Sequence, residues 1–215
     1  LCVEETPRVN PQLVPGARKI DLRRERGEHR GMALTESSSL GPEFAMPDFF
    51  LPDVSSTESV SAPAIAGEKG TVIIFLCRHC PYVVHIFPTL LALARDYMPR
   101  SIGFAGISAN NAATHPEDAP ARLAAMVKER DIPFPILYDE TQEAARAFHA
   151  QCTPEFYVFD PAARLYYHGR MDASTPGNNL PCTGSDLRAA LDALLAGQPA
   201  PSPQHPSMGC NIKWK

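Results

Sequence analysis

Two cysteines stand three positions apart, Cys77 and Cys80, enclosing Arg78 and His79 and followed at once by Pro81. Such a pair suits thiol-disulfide exchange, in which a thiolate attacks a disulfide sulfur and a second thiol within reach displaces the mixed disulfide that forms. A helix N-terminus stabilises a thiolate through its free N–H groups and the positive end of its dipole. Pro81 suits the first helical position, where its missing N–H costs nothing, so Cys77 is expected in that field. Arg78 and His79 can each add positive charge beside it. The expectation is an attacking Cys77, with a pKa in the lower part of roughly 3.5 to 7.5, and a more buried resolving Cys80. A stabilised thiolate favours the reduced form, so the couple is expected toward the oxidising end of the roughly −270 to −120 mV range, and a potential at or below about −270 mV would refute this.

The same spacing occurs in half of a zinc site, which needs a second cysteine pair or a Cys/His couple. Cys2, Cys152, Cys182 and Cys210 each stand alone, so no metal is expected. Haem attachment requires His directly after Cys80, where Pro81 stands, and no other cofactor is called for.

The elements that must hold this motif are legible around it. Thr71–Leu76 is a β-branched and aromatic run suited to a strand buried on both faces, and Pro81–Met98 carries apolar residues at helical spacing. Beyond them are expected a strand at Ile102–Ser108, a helix at Pro120–Arg130, a strand at Pro135–Tyr138 and a helix at Thr141–His149. This βαβα alternation implies right-handed crossovers and a mainly parallel sheet. Phe156–Phe159 and Leu165–Gly169 read as an antiparallel hairpin, and Ser185–Leu195 as a last helix. Met46–Val54, bounded by prolines, reads as an edge strand. Residues 1–43 lack apolar periodicity and are expected to be a disordered extension, residues 44–197 the domain, and residues 198–215 a Pro-rich tail. Residues 1–31 are further expected to be a mis-assigned upstream extension before Met32; peptides from that stretch in mass spectra of the native protein would refute this.

Composition bounds the partners. A hydrophobic fraction of 44%, a charged fraction of 20% and a formal net charge of −4 describe a globular chain with no electrostatic invitation to nucleic acid. The longest apolar run, Val72–Cys77, is far too short to span a membrane. Arg23-Arg24 lacks the apolar segment of an export signal, and a cytoplasmic location is expected. The partners expected are protein or small-molecule disulfides and thiols, with a reductant such as a thioredoxin or glutathione system.

Four stretches carry a family resemblance: Phe75–Val83 around the cysteine pair, Cys152-Thr153-Pro154, Thr175–Asn179, and the ending Gly209-Cys210-Asn211-Ile212-Lys213-Trp214-Lys215. Together they resemble the peroxiredoxin-like branch of the thioredoxin-like proteins, from about Ala33 to Lys215. The resemblance implies an α/β thioredoxin-like fold: a central mixed, mainly parallel sheet flanked by helices, with an N-terminal strand extension and a C-terminal tail. It also implies that Thr153-Pro154 is the cis-proline step lying against the active-site cysteines, an isomer that only X-Pro bonds adopt cheaply. Thioredoxins carry a buried acid six residues before the first cysteine, where this chain has Thr71. Peroxiredoxins place a threonine three residues before a Cys-Pro step; here Cys80-Pro81 matches and Cys77 replaces the threonine. Disulfide exchange is therefore expected first, a thiol-dependent peroxidase with Cys80 as the peroxidatic cysteine second, and a non-catalytic binding module third. Cys152 and Cys210 are candidate additional redox thiols, each with a packing role as its alternative, while Cys182 reads as a surface thiol and His85 as a helix-surface residue.

Overall fold

The β-branched stretch at residues 70–75 is a strand with a partner on each side. The computed structural model describes residues 34–56 and 58–215. Its strands and helices, in chain order, begin with β1 Leu34–Glu36, β2 Phe50–Pro52, β3 Ser59–Ser61, α1 Ala62–Ile65, β4 Gly70–Phe75, α2 Pro81–Tyr97 and β5 Ile102–Ser108. They continue with α3 Pro120–Arg130, β6 Ile136–Tyr138, α4 Glu143–Ala147, β7 Cys152–Thr153, β8 Glu155–Phe159, β9 Leu165–Gly169, α5 Ser185–Leu195 and β10 Met208–Asn211.

The main sheet has the order β6-β5-β4-β8-β9, with β4, β5 and β6 parallel and the β8–β9 hairpin added antiparallel. Every residue of β4 is buried, as a central strand covered on both faces requires. On one face Val72, Ile74 and Phe156 pack with Phe87 and Leu90 of α2 and Leu191 of α5. On the other, Ile73, Phe75 and Tyr157 pack with Phe148 and Ala145, close to α4. The alternation along β4 thus divides one strand between two cores, and the expected mixed, mainly parallel sheet flanked by helices is what forms.

Two edges depart from expectation. The expected disordered extension runs to residue 43; its residues 1–33 lie outside the described residues, but Leu34–Glu36 is a strand. The C-terminal stretch, expected as a tail outside the domain, holds β10, which pairs antiparallel with β1 on one side and β7 on the other. Gly209 makes that approach possible, because a Cβ there would drive into the Thr153 carbonyl. Within Met46–Val54 only Phe50–Pro52 is a strand, paired with β3, which sequence periodicity did not reveal.

Candidate active site

Strand register brings the cysteines to the proline. Phe75 at the end of β4 is opposite Glu155 at the start of β8, so the chain leaving β4 toward Cys77 runs beside the chain entering β8 through Thr153-Pro154. That X-Pro bond is cis, as the resemblance implied. Cys210 of β10 is opposite Thr153 of β7, which delivers a third thiol to the same spot. The site lies beyond the carboxyl ends of parallel β4 and β5, where open α/β sheets place their functional groups.

The sulfurs are closely held. Cys77 Sγ is 3.3 Å from Thr153 Oγ1; Cys80 Sγ is 3.2 Å from the Thr153 carbonyl oxygen and 2.8 Å from Cys210 Sγ. Cys77, Cys80 and Cys210 are all buried. Cys80 is the residue preceding α2, and Pro81 opens the helix as expected.

The charge sits differently from the sequence expectation. The contacts of Cys80 with the thiols of Cys210 and Cys77, joined by the backbone N–H groups of Val83 and Cys210, outweigh burial and hold it well below the ordinary thiol range. The hydrogen bond to Cys80 raises Cys77, and burial and the carboxylate of Asp118 raise it further. Cys210 is raised by the same hydrogen bond and by burial. Cys77 is thus held above the ordinary thiol range and Cys80 below it, the reverse of the order expected from the sequence.

A further contribution comes from an acid that sequence reading missed. Asp118, fully buried in the segment after β5, accepts the Arg78 backbone N–H at 2.8 Å and the Asn110 amide at 2.8 Å. Its Oδ2 is also 2.8 Å from His79 Nδ1, an ion-pair contact in which the ring N–H is not aimed squarely at the oxygen. Arg78 turns its guanidinium to Glu117 at 2.7 Å. The two positive side chains expected to favour a Cys77 thiolate are thus neutralised by Glu117 and Asp118. Thr71, at the place of the thioredoxin acid, has its hydroxyl 3.3 Å from the Gly67 N–H, and the buried acid nearest the pair is Asp118 instead.

Asp118 raises His79 above 6.5, against the opposing effect of burial. Burial would raise Asp118, but the His79 contact and the hydrogen bonds from Asn110 and the Arg78 N–H hold it below 3.8. The raised His79 stabilises the fold fully below 6.5 and loses that contribution as pH rises through its folded value. The lowered Asp118 contributes above 3.8 and fails as pH falls through its folded value, so the pair acts most strongly between the two. Asp118→Asn is expected to lower the pKa of both His79 and Cys77 and to destabilise the fold by about 1–3 kcal/mol through lost charge-assisted hydrogen bonds. Imidazole titration by NMR and the pH profile of Cys77 alkylation check this; an unmoved His79 would refute it.

Cys77, His79 and Asp118 form the group of potential metal ligands found among the described residues, their ligand atoms within 4.8 Å of one another. The Asp118 oxygens are already engaged by His79, Asn110 and Arg78, which suits proton handling beside a thiol.

The other candidates separate cleanly. Cys152 points toward Glu155, its Sγ 3.7 Å from Oε2; burial first, then that carboxylate, raise it far out of the nucleophilic range. Glu155, unremarked in the sequence, is fully buried and takes the Gln151 and Cys152 N–H groups on Oε2, with Tyr157 Oη and His168 Nε2 at 2.7 and 2.8 Å from Oε1. His85 donates to Ser174 Oγ at 2.7 Å, since that hydroxyl spends its own proton on the Leu180 carbonyl. Cys182 is half-buried. Beside Pro154 a cleft of about 90 Å³ opens between Tyr82, Ile86, Phe156, Met171 and Met208.

A thioredoxin-like fold with thiols packed at a helix start beside a cis-proline defines a thiol-based redox protein. The chain belongs to the AhpC/TSA family, whose model matches residues 42–168. It is 45% identical to an uncharacterized conserved protein from Geobacillus kaustophilus, over 86% of this chain and 98% of that one, with a TM-score of 0.85. A hypothetical protein from Sinorhizobium meliloti 1021 is 38% identical over 84% and 98% of the two chains, with a TM-score of 0.82. A thiol:disulfide interchange protein of the thioredoxin family from Chlorobium tepidum TLS shares the fold at 17% identity, covering 74% and 99%, with a TM-score of 0.55. No curated protein sequence matches the chain. No helix among the described residues is long and apolar enough to cross a membrane.

Proposed function

We propose that the protein is a thiol-disulfide oxidoreductase in which Cys77 and Cys80 exchange a disulfide with a protein or small-molecule substrate. The observation that carries this reading is the pairing of both thiols with Thr153 of the cis-proline step, at 3.3 and 3.2 Å. Cys77 is the entry thiol because it lies in the loop shared with the partly exposed Arg78 and His79, whereas Cys80 is enclosed by the Thr153 carbonyl and Cys210. The Cys80 thiolate takes the Cys77 proton along their hydrogen bond. Cys77 then attacks a substrate sulfur; one substrate thiolate leaves and takes a proton from Cys80. Cys80 next attacks Cys77 Sγ, closing the Cys77–Cys80 disulfide and releasing the second substrate thiolate. The cleft beside Pro154 offers an apolar seat for a substrate side chain, and the backbone there suits an extended peptide. A thioredoxin- or glutathione-type thiol returns the pair to the reduced state.

A second reading has an observation in its favour: the acidic thiol is Cys80, directly followed by Pro81 at the helix start, as in a peroxide-reducing Cys-Pro step. Two assays separate the readings. Reduction of a disulfide-bonded protein with dithiothreitol as electron source is expected to be accelerated well above the reductant alone, and no acceleration would refute the proposal. Stopped-flow oxidation by hydrogen peroxide is expected at the rate of an unactivated thiol, and a much faster reaction would establish the peroxidase instead. Because the thiolate is stabilised in the reduced form, the potential is expected above about −270 mV.

A further inference from the structure

Three sulfurs meet where two would serve. Cys80 Sγ is 2.8 Å from Cys210 Sγ, and Thr153 touches Cys80 through its carbonyl and Cys77 through its hydroxyl. Cys210 reaches this position through a built arrangement. β10 runs between β1 and β7, and Gly209 lets it lie flush on Thr153-Pro154. Past β10, Gln142 Nε2 donates to the Lys213 carbonyl at 2.9 Å and Asn110 Oδ1 accepts the Lys213 N–H at 2.8 Å. Asn110 is also the residue that holds Asp118, so the C-terminal segment and the cysteine motif share one hydrogen-bonded frame.

We propose that Cys210 is a third redox thiol of this site, which takes the disulfide over from the pair by attacking Cys80 and so returns Cys77 to the reduced state. This rests on the exchange reading of Cys77 and Cys80. A substrate disulfide first oxidises the pair and leaves as two thiols. Cys210, giving up its proton, then attacks Cys80 Sγ: the Cys80–Cys210 bond forms, the Cys77–Cys80 bond breaks, and Cys77 departs as the thiolate that takes up that proton. The step moves a disulfide without net oxidation. Its consequence is an oxidised protein that still presents Cys77 as an attacking thiol, able to open and reshuffle a further disulfide in a client.

The test uses the full chain with Cys2→Ser and Cys182→Ser, so that thiol counts read this site, and one equivalent of 4,4′-dithiodipyridine as the oxidising disulfide. An intrachain disulfide releases two thiopyridones per chain; a persistent mixed adduct releases one. After acid quench, alkylation and digestion, mass spectrometry is expected to find a Cys80–Cys210 linked peptide together with alkylated Cys77. With Cys77→Ser or Cys77→Ala added, two thiopyridones and the same linkage are expected. A Cys77–Cys80 linkage alone in the parent chain, or one thiopyridone with a lasting adduct on Cys80 in the folded Cys77 variants, overturns the proposal. Cys210→Ser separates the two readings: with it, the Cys77–Cys80 linkage is expected, and its absence overturns the exchange reading and this one together.

Discussion

Cys77→Ser and Cys80→Ser are each expected to lower disulfide-reductase turnover by about a thousandfold or more, and the double variant is expected to be no worse than either single one. Residues that act as a unit lose nearly everything when one member is removed. The two variants should fail differently. Cys80→Ser leaves Cys77 with its Thr153 contact but without the resolving thiol, so a stable mixed disulfide with substrate should accumulate on Cys77. Cys77→Ser removes the entry thiol and leaves Cys80 beside Cys210 at 2.8 Å, so no such adduct should accumulate. Non-reducing electrophoresis of each variant with a disulfide-bonded protein reads both outcomes. Retention of more than a tenth of the turnover in either variant would refute the exchange reading.

Glu155→Ala should be the most destabilising single change outside the cysteines. The Glu155 carboxylate sits at zero exposure beneath the cis-proline step and holds two backbone N–H groups, Tyr157 Oη and His168 Nε2. Alanine would take this acceptor from the Gln151 and Cys152 N–H groups and from His168, while Tyr157 Oη keeps the Phe148 carbonyl at 3.1 Å. Leaving several buried donors unsatisfied, at about 1–3 kcal/mol each, costs about 3–5 kcal/mol in total. For a domain of this size that corresponds to a fall in melting temperature of roughly 10 °C or more. Glu155→Gln keeps one acceptor oxygen but turns an amide donor toward two N–H groups or toward Tyr157 and His168, and should recover only part of the loss. Thermal unfolding followed by circular dichroism decides: a shift of less than about 3 °C for the alanine variant would show that these contacts contribute little. The activity of the protein that remains folded should fall as well, because Gln151 and Cys152, which Glu155 holds, lead directly into Thr153.

What the sequence by itself determined is local. The strand Ile102–Ser108 and the helices Pro120–Arg130 and Ser185–Leu195 appear at the bounds their patterns predicted, since periods of two and 3.6 residues report which face an element buries. The cysteine pair at the mouth of α2 was equally legible, because Pro81 marks the helix start, and the family resemblance carried the cis-proline. Tertiary structure decided the rest. Asp118 and Glu155 are ordinary acids in the chain, and only the fold places one beside His79 and the other beneath the proline step. β1 and β10 are three and four residues long, too short to show a period, and they form because their backbones find each other and β7 across distant parts of the chain. The pair's electrostatics followed from those placements: a third thiol against Cys80 helps lower it, while the contact with Cys80, burial and then the acid Asp118 raise Cys77. A field depends on distances between groups remote in sequence, which residue spacing does not encode.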